Sequence, residues 1–265
     1  MRNLHKLAAV GVIGALALAG CGSGKDDSST VVVGASPSPH AVILEFIQKD
    51  LAKENGIKLD IVEYTDYVQP NEALNSGDLD ANYYQTIPYL EDESEARGYD
   101  FVAGEGIHLE PLAVYSEKLT SLDELPAGAK VGIINDTTNQ GRALQLLADN
   151  GLVEIPESGD VNVNTVTKLK DFEFVETEGP QLGRSLADVD VAVINGNFAQ
   201  QAGLAPADSL VIEETEGNPA LNVLVWSPDT NKAEAVATLE KLLHSAEVQE
   251  FIETQWPDGS VLPAK

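Results

Sequence analysis

The chain has 265 residues, of which 43% are hydrophobic, and it carries a formal net charge of −27 at pH 7. This acidity argues against binding to nucleic acids, because such binding needs a basic surface. The chain contains a single cysteine, Cys21, so an intrachain disulfide bond is excluded.

The N-terminal segment has the features of a secretory signal. Arg2 and Lys6 give a positive start, and the apolar stretch that follows is too short for a retained membrane-spanning helix. Small residues directly before Cys21 are typical of a bacterial lipoprotein cleavage site, where the thiol takes a diacylglycerol. We predict that residues 1–20 are a signal peptide, that Cys21 is lipidated and that residues 21–30 form a flexible tether on the outer face of the cell membrane. The alternative is an ordinary signal peptide with an idle cysteine.

The mature sequence alternates short apolar runs with amphipathic segments. Residues 31–36 are β-branched and predict a buried strand, and residues 41–55 have apolar side chains at helical spacing. The other predicted strands are 59–64, 79–83, 130–135, 172–175, 189–195 and 221–226, and the other predicted helices are 70–75, 88–97, 141–150, 181–187, 232–243 and 246–255. This alternation predicts an α/β fold with parallel-rich sheets. The length suffices for two lobes of ~100–120 residues each, with a ligand between them at the carboxyl ends of strands.

The segment 135–144 connects a predicted strand to a helix and carries a candidate anion site. We expect Arg142 in the first helical turn, where its guanidinium could hold both oxygens of a carboxylate. A cation is unfavourable at a helix start, so a nearby anion would explain its position. The alternative is a structural ion pair with Asp136 or another acidic residue.

Asn195 and Asn197 flank Gly196 at the end of another predicted strand. Amide side chains both donate and accept hydrogen bonds, so they could meet the amino and carboxylate ends of an amino acid. The alternative is a turn that caps a helix beginning at Phe198.

Five of the seven tyrosines lie close together in the sequence: Tyr64, Tyr67, Tyr83, Tyr84 and Tyr89. Tyrosine buries a large area while keeping a polar tip, and aromatic rings suit a thioether sulfur. We expect Tyr64 and Tyr83 to pack in the core of a lobe.

Signatures of catalysis are missing from the sequence. It has no His-Glu-x-x-His, Gly-x-Ser-x-Gly, P-loop or dinucleotide-binding glycine motif. His40, His108 and His244 are far apart, so we predict no metal site and no cofactor, and we place His244 on the surface. His108 lies in a predicted inter-lobe strand and could line the cleft.

Several motifs occur together in one order. They are Asp66-Tyr67-Val68-Gln69-Pro70-Asn71, Asn82-Tyr83-Tyr84-Gln85-Thr86-Ile87-Pro88-Tyr89-Leu90, His108-Leu109-Glu110-Pro111-Leu112, Asn135-Asp136-x-x-Asn139-x-Gly141-Arg142-Ala143-Leu144 and Asn195-Gly196-Asn197. With these motifs, nearly the whole mature chain resembles the MetQ/NlpA family of methionine-binding lipoproteins of ABC importers.

The resemblance implies a type II periplasmic-binding-protein fold. Lobe 1 would comprise residues 31–111 and 224–265, and lobe 2 residues 112–223, with two crossings near Pro111 and Val223. The resemblance also implies that the family's arginine at Arg142 binds the ligand carboxylate.

The residues that the resemblance places around the ligand are Tyr67, Tyr84, Thr86, Tyr89, His108, Asn139, Arg142, Asn195 and Asn197. Asn195 would hold polar ends, and the tyrosines with His108 would surround the side chain. Thr86 stands where many members have histidine, and Tyr84 stands where phenylalanine is common, so the pocket would be wider or more polar there.

We therefore predict a monomeric binding protein that is not an enzyme. It would capture a small amino acid, methionine first, and deliver it to an ABC permease with its ATPase. The alternatives are a methionine-containing dipeptide or a related amino acid as ligand, a lipid-anchored amidase or lyase on the same fold, and a surface protein that has lost transport.

Overall fold

The computed structural model describes residues 28–264, so the predicted signal peptide and Cys21 lie outside the described residues. The strands are β1 (Thr30–Ala35), β2 (Lys58–Glu63), β3 (Ala81–Thr86), β4 (Val102–Ala103), β5 (His108–Leu109), β6 (Ala113–Tyr115), β7 (Ala129–Ile134), β8 (Val153–Glu154), β9 (Thr167–Lys168), β10 (Phe172–Thr177), β11 (Val191–Ile194), β12 (Ser209–Ile212), β13 (Leu221–Trp226) and β14 (Leu262–Pro263). The α-helices are α1 (Val42–Phe46), α2 (Gln69–Ser76), α3 (Ile87–Arg97), α4 (Thr137–Asp149), α5 (Gly179–Ser185), α6 (Gly196–Gln201), α7 (Ala233–Leu243) and α8 (Ala246–Gln255). Two π-helical turns, Pro37–Ala41 and Ile47–Leu51, flank α1, and Leu122–Glu124 and Pro206–Asp208 are 3-10 turns. Between residues 28 and 264, no helix has the length and apolar character needed to cross a membrane.

The first sheet has the strand order β14-β5-β13-β3-β1-β2, with β4 also paired to β13. Its centre is parallel, because β1 pairs in parallel with both β2 and β3. Strand β13 returns antiparallel to β3 and carries β4 and β5 on its other side. The β-branched residues Val31 and Val33 of β1 point to one face of the sheet and are fully buried, whereas Val32 on the other face is partly buried.

The second sheet has the order β10-β7-β11-β6-β12. Strand β7 is parallel to β10 and β11, and β6 is antiparallel to β11 and β12. Helix α4 packs its buried face, including Leu144 and Leu147, on a core that also contains Phe172. The predicted two-lobed α/β fold is therefore confirmed, with a parallel core and antiparallel additions in each sheet.

The chain passes from the first sheet to the second after β5 and returns before β13. The chain returns to the first sheet at Leu221, where β13 begins. Residues 221–223 therefore pair with the first sheet, although the predicted boundary places them in lobe 2. Strand β1 likewise takes in Thr30, the last residue of the predicted tether. The division into lobes with the bounds given above remains a prediction.

Candidate ligand-binding site

A cavity lies in the cleft between the two sheets, where the segments after β3, β7 and β11 meet. Eight of the nine predicted binding residues line it: Tyr67, Tyr84, Thr86, Tyr89, Asn139, Arg142, Asn195 and Asn197. Its free volume is about 30 Å³, room for about two water molecules. An amino acid is much larger, so binding requires the two lobes to separate.

Helix α4 begins earlier than predicted, and this changes the setting of Arg142. Asp136 is the N-cap, and its Oδ1 accepts the backbone N–H of Asn139 at 2.8 Å. The helix therefore starts at Thr137 instead of residue 141, and Arg142 lies in its second turn. The helix dipole acts mainly within the first turn, so it gives no reason to expect an anion at Arg142.

The guanidinium of Arg142 already holds a carboxylate of the protein. Its Nε and Nη2 donate to Glu213 at 2.8 and 2.6 Å, and Nη2 also donates to the backbone oxygen of Glu110 at 3.0 Å. The structural pair expected as the alternative is thus present, but with Glu213 instead of Asp136. The edge of the guanidinium predicted to hold the ligand carboxylate is occupied by Glu213. The Nη1 donors, which have no hydrogen-bond partner among residues 28–264, are left for a second anion.

Asparagine side chains form a chain of hydrogen bonds along the second sheet's wall. Both carboxylate oxygens of Asp136 accept from Asn139 Nδ2, which leaves Asn139 Oδ1 to accept from Asn195 Nδ2 at 2.8 Å. Burial raises the pKa of Asp136 to about 6, against the hydrogen bonds from Asn139. Helix α6 begins at Gly196 and not at Phe198, and the Asn195 side chain makes no capping bond.

Two amide atoms in this wall are buried without a hydrogen-bond partner among the described residues. They are Asn195 Oδ1, an acceptor, and Asn197 Nδ2, a donor. Buried polar groups in proteins are normally paired, so atoms of this kind at a cavity wall indicate a ligand-facing surface.

Tyr67 joins the two walls. Its hydroxyl donates to Asn197 Oδ1 at 2.6 Å, and its ring stacks on Phe198 with centroids 4.7 Å apart. Its backbone oxygen accepts from the hydroxyls of Tyr84 and Tyr89 at 2.9 and 3.1 Å. Burial raises the pKa of Tyr67 well above its ordinary value, so this hydroxyl is a neutral donor.

Two further tyrosines and Thr86 were singled out in the sequence, and the structure places each of them in a different setting. Tyr83 is fully buried in the core of the first lobe, as predicted, and Tyr64 is half-buried and packs against a second core cluster of the same lobe. Thr86 is the N-cap of α3 and accepts the Tyr89 backbone N–H at 3.5 Å. Its hydroxyl therefore faces the helix start as well as the cavity.

His108 lies behind the cavity wall. It is fully buried; its Nδ1 bonds to the Tyr83 hydroxyl at 2.5 Å and its Nε2 to Glu110 Oε1 at 3.0 Å. His40 Nε2 lies 2.9 Å from Asn222 Oδ1 and 3.3 Å from the same Glu110 oxygen. Burial lowers the pKa of His108 to about 3 and that of His40 to about 4.

The sequence analysis missed one cluster because its residues are far apart in the chain. One potential metal-ligand atom from each of His40, His108 and Glu110 lies within 4.8 Å of the other two, although the two histidines are 68 positions apart. A neutral His108 that donates from Nε2 explains its contact with Glu110, and His40 Nε2 bonds to Asn222, so we interpret the cluster as a hydrogen-bond network. The absence of a metal site remains a prediction. His244 is half-buried, with its Nε2 3.1 Å from Glu240.

The structure adds residues to the cavity that the sequence analysis missed: Gln85, Glu110, Gly196 and Asn222. Gln85 exchanges hydrogen bonds with Asn71 at 2.8 and 3.0 Å, which fixes its amide. A signal was available for Asn222 and Glu110, because each is a polar residue inside an otherwise apolar run. Such a residue, once buried, needs a partner.

A second cavity of about 440 Å³ adjoins the first on the far side of Tyr67 and Tyr89. Its rim carries the acidic residues Asp66, Asp136 and Glu178. The two tyrosines line both cavities, so their movement would connect the spaces.

Comparison with known proteins gives the chain its relatives. Residues 31–265 match the family model of the NlpA lipoprotein. The D-methionine-binding lipoprotein MetQ of Salmonella typhi is 39% identical over 260 residues, which cover 96% of each chain. A crystal structure of a lipoprotein from Actinomyces odontolyticus is 65% identical with a TM-score of 0.89, covering 90% of this chain and 100% of that one. A nutrient-binding protein from Burkholderia cenocepacia, solved bound to methionine, is 36% identical with a TM-score of 0.83, covering 89% and 100%. As its motifs predict, the chain belongs to the NlpA lipoprotein family, alongside the MetQ methionine-binding lipoproteins.

Proposed function

We propose that this protein captures L-methionine, or a closely related amino acid, between its two lobes and delivers it to an ABC import permease with its ATPase. The relative named as D-methionine-binding and the one solved bound to methionine support methionine as the ligand, and neither selects the L form. Closure of the lobes around the ligand would give the permease a form to recognise, because a ligand that binds the closed state more tightly shifts the population toward it.

The observation that carries the proposal is the chemical match between the cavity and a zwitterion. The free donors of Arg142 Nη1 and of Asn197 Nδ2 suit a carboxylate, and Asn195 Oδ1 is an acceptor for an ammonium. Both kinds of group face one small space in the cleft. An amino acid offers both charges at one end.

The tyrosines support methionine as the side chain. Tyr67, Tyr84 and Tyr89 form three mutual ring contacts with centroids 5.8 to 6.2 Å apart. A thioether packs well against such rings, and its flexible chain adapts to an irregular space. His108 does not reach this wall, so the tyrosines and Thr86 set its shape.

Calorimetry on refolded protein tests the proposal. The protein is unfolded, dialysed free of bound molecules and refolded, and L-methionine, D-methionine, leucine and glycyl-methionine are titrated in turn. We expect L-methionine to bind more tightly than leucine. Absence of L-methionine binding by protein with a native thermal transition would contradict the proposal. Mass spectrometry of the released native ligand should show an unchanged compound, whereas a converted product would favour the enzyme alternative.

A methionine-containing dipeptide is a second candidate ligand, favoured by the second cavity. Movement of Tyr67 and Tyr89 would let a second residue enter that space of about 440 Å³. Tighter binding of glycyl-methionine than of L-methionine would select this candidate.

Lipidation of Cys21 would place the protein on the outer face of the cell membrane. We expect Cys21→Ala to remove acylation and release the protein from the membrane fraction, since the lipid would be its attachment. Fractionation with an antibody, compared with Ser28→Ala as a control, measures this. Membrane retention of the unacylated variant would contradict the lipid anchor.

A further inference from the structure

Both histidine contacts of the Glu110 carboxylate involve the same oxygen atom. Its Oε1 lies 3.0 Å from His108 Nε2 and 3.3 Å from His40 Nε2. Its Oε2 is buried and makes no hydrogen bond of ordinary geometry with the described residues, although the Asn197 backbone N–H lies close to the carboxylate. Glu110 is 6% exposed and lines the cavity. The free oxygen therefore belongs to a buried carboxylate at the wall of the ligand site.

Gly196 lets the second sheet's side of the cleft approach this carboxylate closely. A Cβ at Gly196 would lie 2.7 Å from Glu110 Cβ and 3.2 Å from Oε2. Any other residue would push against Glu110. The two residues come from opposite sides of the cleft, so glycine here permits the close approach of the walls around Oε2.

No cation of the described protein is bonded to the Glu110 carboxylate. Arg142 gives Nε and Nη2 to Glu213 and reaches Glu110 only through its backbone oxygen. His40 and His108 are neutral near pH 7, because burial holds their pKa values at about 4 and about 3. A buried carboxylate without a cation is unfavourable, so this one is suited to receiving a positive group.

Glu110 and Arg142 are close enough together to bind the ammonium and the carboxylate of one α-amino acid. The ammonium and the carboxylate of such a ligand are attached to one carbon, so their partners must be neighbours. The bond of 3.0 Å between Arg142 Nη2 and the Glu110 backbone oxygen makes these residues neighbours.

We propose that Glu110 Oε2 accepts the α-ammonium of the ligand and makes a free, charged amine the main requirement for binding. This inference rests on the proposed function and specifies its substrate class. The site would accept zwitterionic amino acids and reject analogues that lack the amine or carry it acylated.

The groups that face Glu110 determine how its binding depends on pH. They are His40 after β1, Tyr67 before α2, Tyr83 in β3, His108 in β5, Arg142 in α4, the Asn197 backbone N–H in α6 and Asn222 in β13. Burial raises the pKa of Glu110 to about 7, opposed by His40, Arg142 and the Asn197 N–H. An ammonium binds the ionised form, so affinity for L-methionine should fall as the pH drops below 7 and level off above it.

The test compares L-methionine with 4-(methylthio)butanoate, the same molecule without its amine, by calorimetry on refolded protein. Wild-type protein should prefer L-methionine by about 30-fold or more, the scale for a buried charge pair. Glu110→Gln should lose most of that preference by weakening L-methionine alone. Glu154→Gln, at an exposed position in β8, should behave as wild type. Wild-type affinity for L-methionine, but not for the analogue, should fall about tenfold per unit between pH 6 and pH 5.

Two results would overturn the inference while leaving the proposed function intact. One is equal weakening of both ligands by Glu110→Gln, which would mark a structural role. The other is a preference of wild-type protein for L-methionine over the analogue below about threefold. If circular dichroism shows that Glu110→Gln is unfolded, this comparison and the pH series on wild-type protein test the inference without the variant. Failure of wild-type protein to bind L-methionine at any pH would instead overturn the proposed function.

Discussion

The two walls of the cavity are built from different kinds of side chain. The first sheet supplies the rings of Tyr67, Tyr84 and Tyr89, whereas the second supplies Arg142 and a row of asparagines. The second wall is fixed within its own lobe, because Asp136 orients Asn139, which orients Asn195. The first wall touches the second within the cavity through the Tyr67 hydroxyl. We infer that the second wall, together with Glu110 from the first lobe, selects the charged end of the ligand, and that the tyrosines of the first wall select its tail.

The largest effect should follow removal of the guanidinium from the second wall. We expect Arg142→Met combined with Glu213→Gln to weaken L-methionine binding by ~2–5 kcal/mol, as for loss of one member of a buried charge pair. The double change avoids leaving Glu213 buried without its partner. Calorimetry measures the loss, with the exposed Arg184→Met as the control. Affinity within threefold of wild type would show that this wall does not select the charge.

The buried network behind the walls should make folding stability depend on pH. His40 and His108 have lowered pKa values, so their contribution is complete above pH 6.5 and is lost as the pH falls. Glu110 has a raised pKa, and its contribution grows as the pH falls from 7. Asp136 also has a raised pKa, of about 6, so two carboxyl groups oppose the two histidines, and the free energy of unfolding should decrease by only about 1 kcal/mol from pH 6.5 to pH 4.

Urea unfolding across this pH range measures the change, and His108→Gln should reverse it, so that this variant becomes more stable toward pH 4. His244→Gln, at a half-buried position outside the network, is the control. An increase in the stability of wild-type protein toward pH 4 would show that Glu110 and Asp136 outweigh the histidines.

A smaller effect on binding than that of the guanidinium is expected where the row of asparagines is broken. Asn195→Ala removes the acceptor that faces the cavity and leaves Asn139 Oδ1 without its donor. We expect a loss of ~1–3 kcal/mol in binding free energy, because both changes leave buried groups unpaired. Titration of L-methionine measures this loss, with Asn150→Ala at the end of α4 as the control. Unchanged binding would show that Asn139 alone keeps this wall in place.

The smallest effect on binding should come from the contact that links the walls. Tyr67→Phe keeps the ring on Phe198 but removes the bond to Asn197. We expect binding to weaken by ~0.5–1.5 kcal/mol, the net value of one neutral hydrogen bond. Tyr99→Phe on the same lobe is the control. A loss larger than that of Asn195→Ala would contradict the division of roles between the walls.

The sequence predicted the features that depend on local patterns. The β-branched run from Val31 gives a central strand, Pro88 lies in the first turn of α3, and the strand ends near Asn135 and Asn195 face the cleft. The family motifs brought eight residues to one cavity. The start of α4 was misplaced because Asp136 caps the helix and the following residues were read as a loop.

Features that depend on distant residues could not be predicted. Glu213 pairs with Arg142 across 71 positions, and nothing in the sequence near Glu213 indicates this contact. His40 reaches Glu110 because the Pro37–Ala41 turn after β1 lies near the end of β5, although β3 and β13 separate these two strands in the sheet. Pairing between strands far apart in sequence sets such contacts, and local periodicity does not contain that information.

A crystal structure of the refolded protein with L-methionine would show both ends of the ligand at once. We expect the ligand carboxylate within about 3.2 Å of Arg142 Nη1 or Asn197 Nδ2, an ordinary hydrogen-bond distance. The ammonium should lie on Glu110 Oε2, and the thioether among Tyr67, Tyr84 and Tyr89. A methionine bound with its charged end toward the tyrosines, or outside the cleft, would contradict this arrangement.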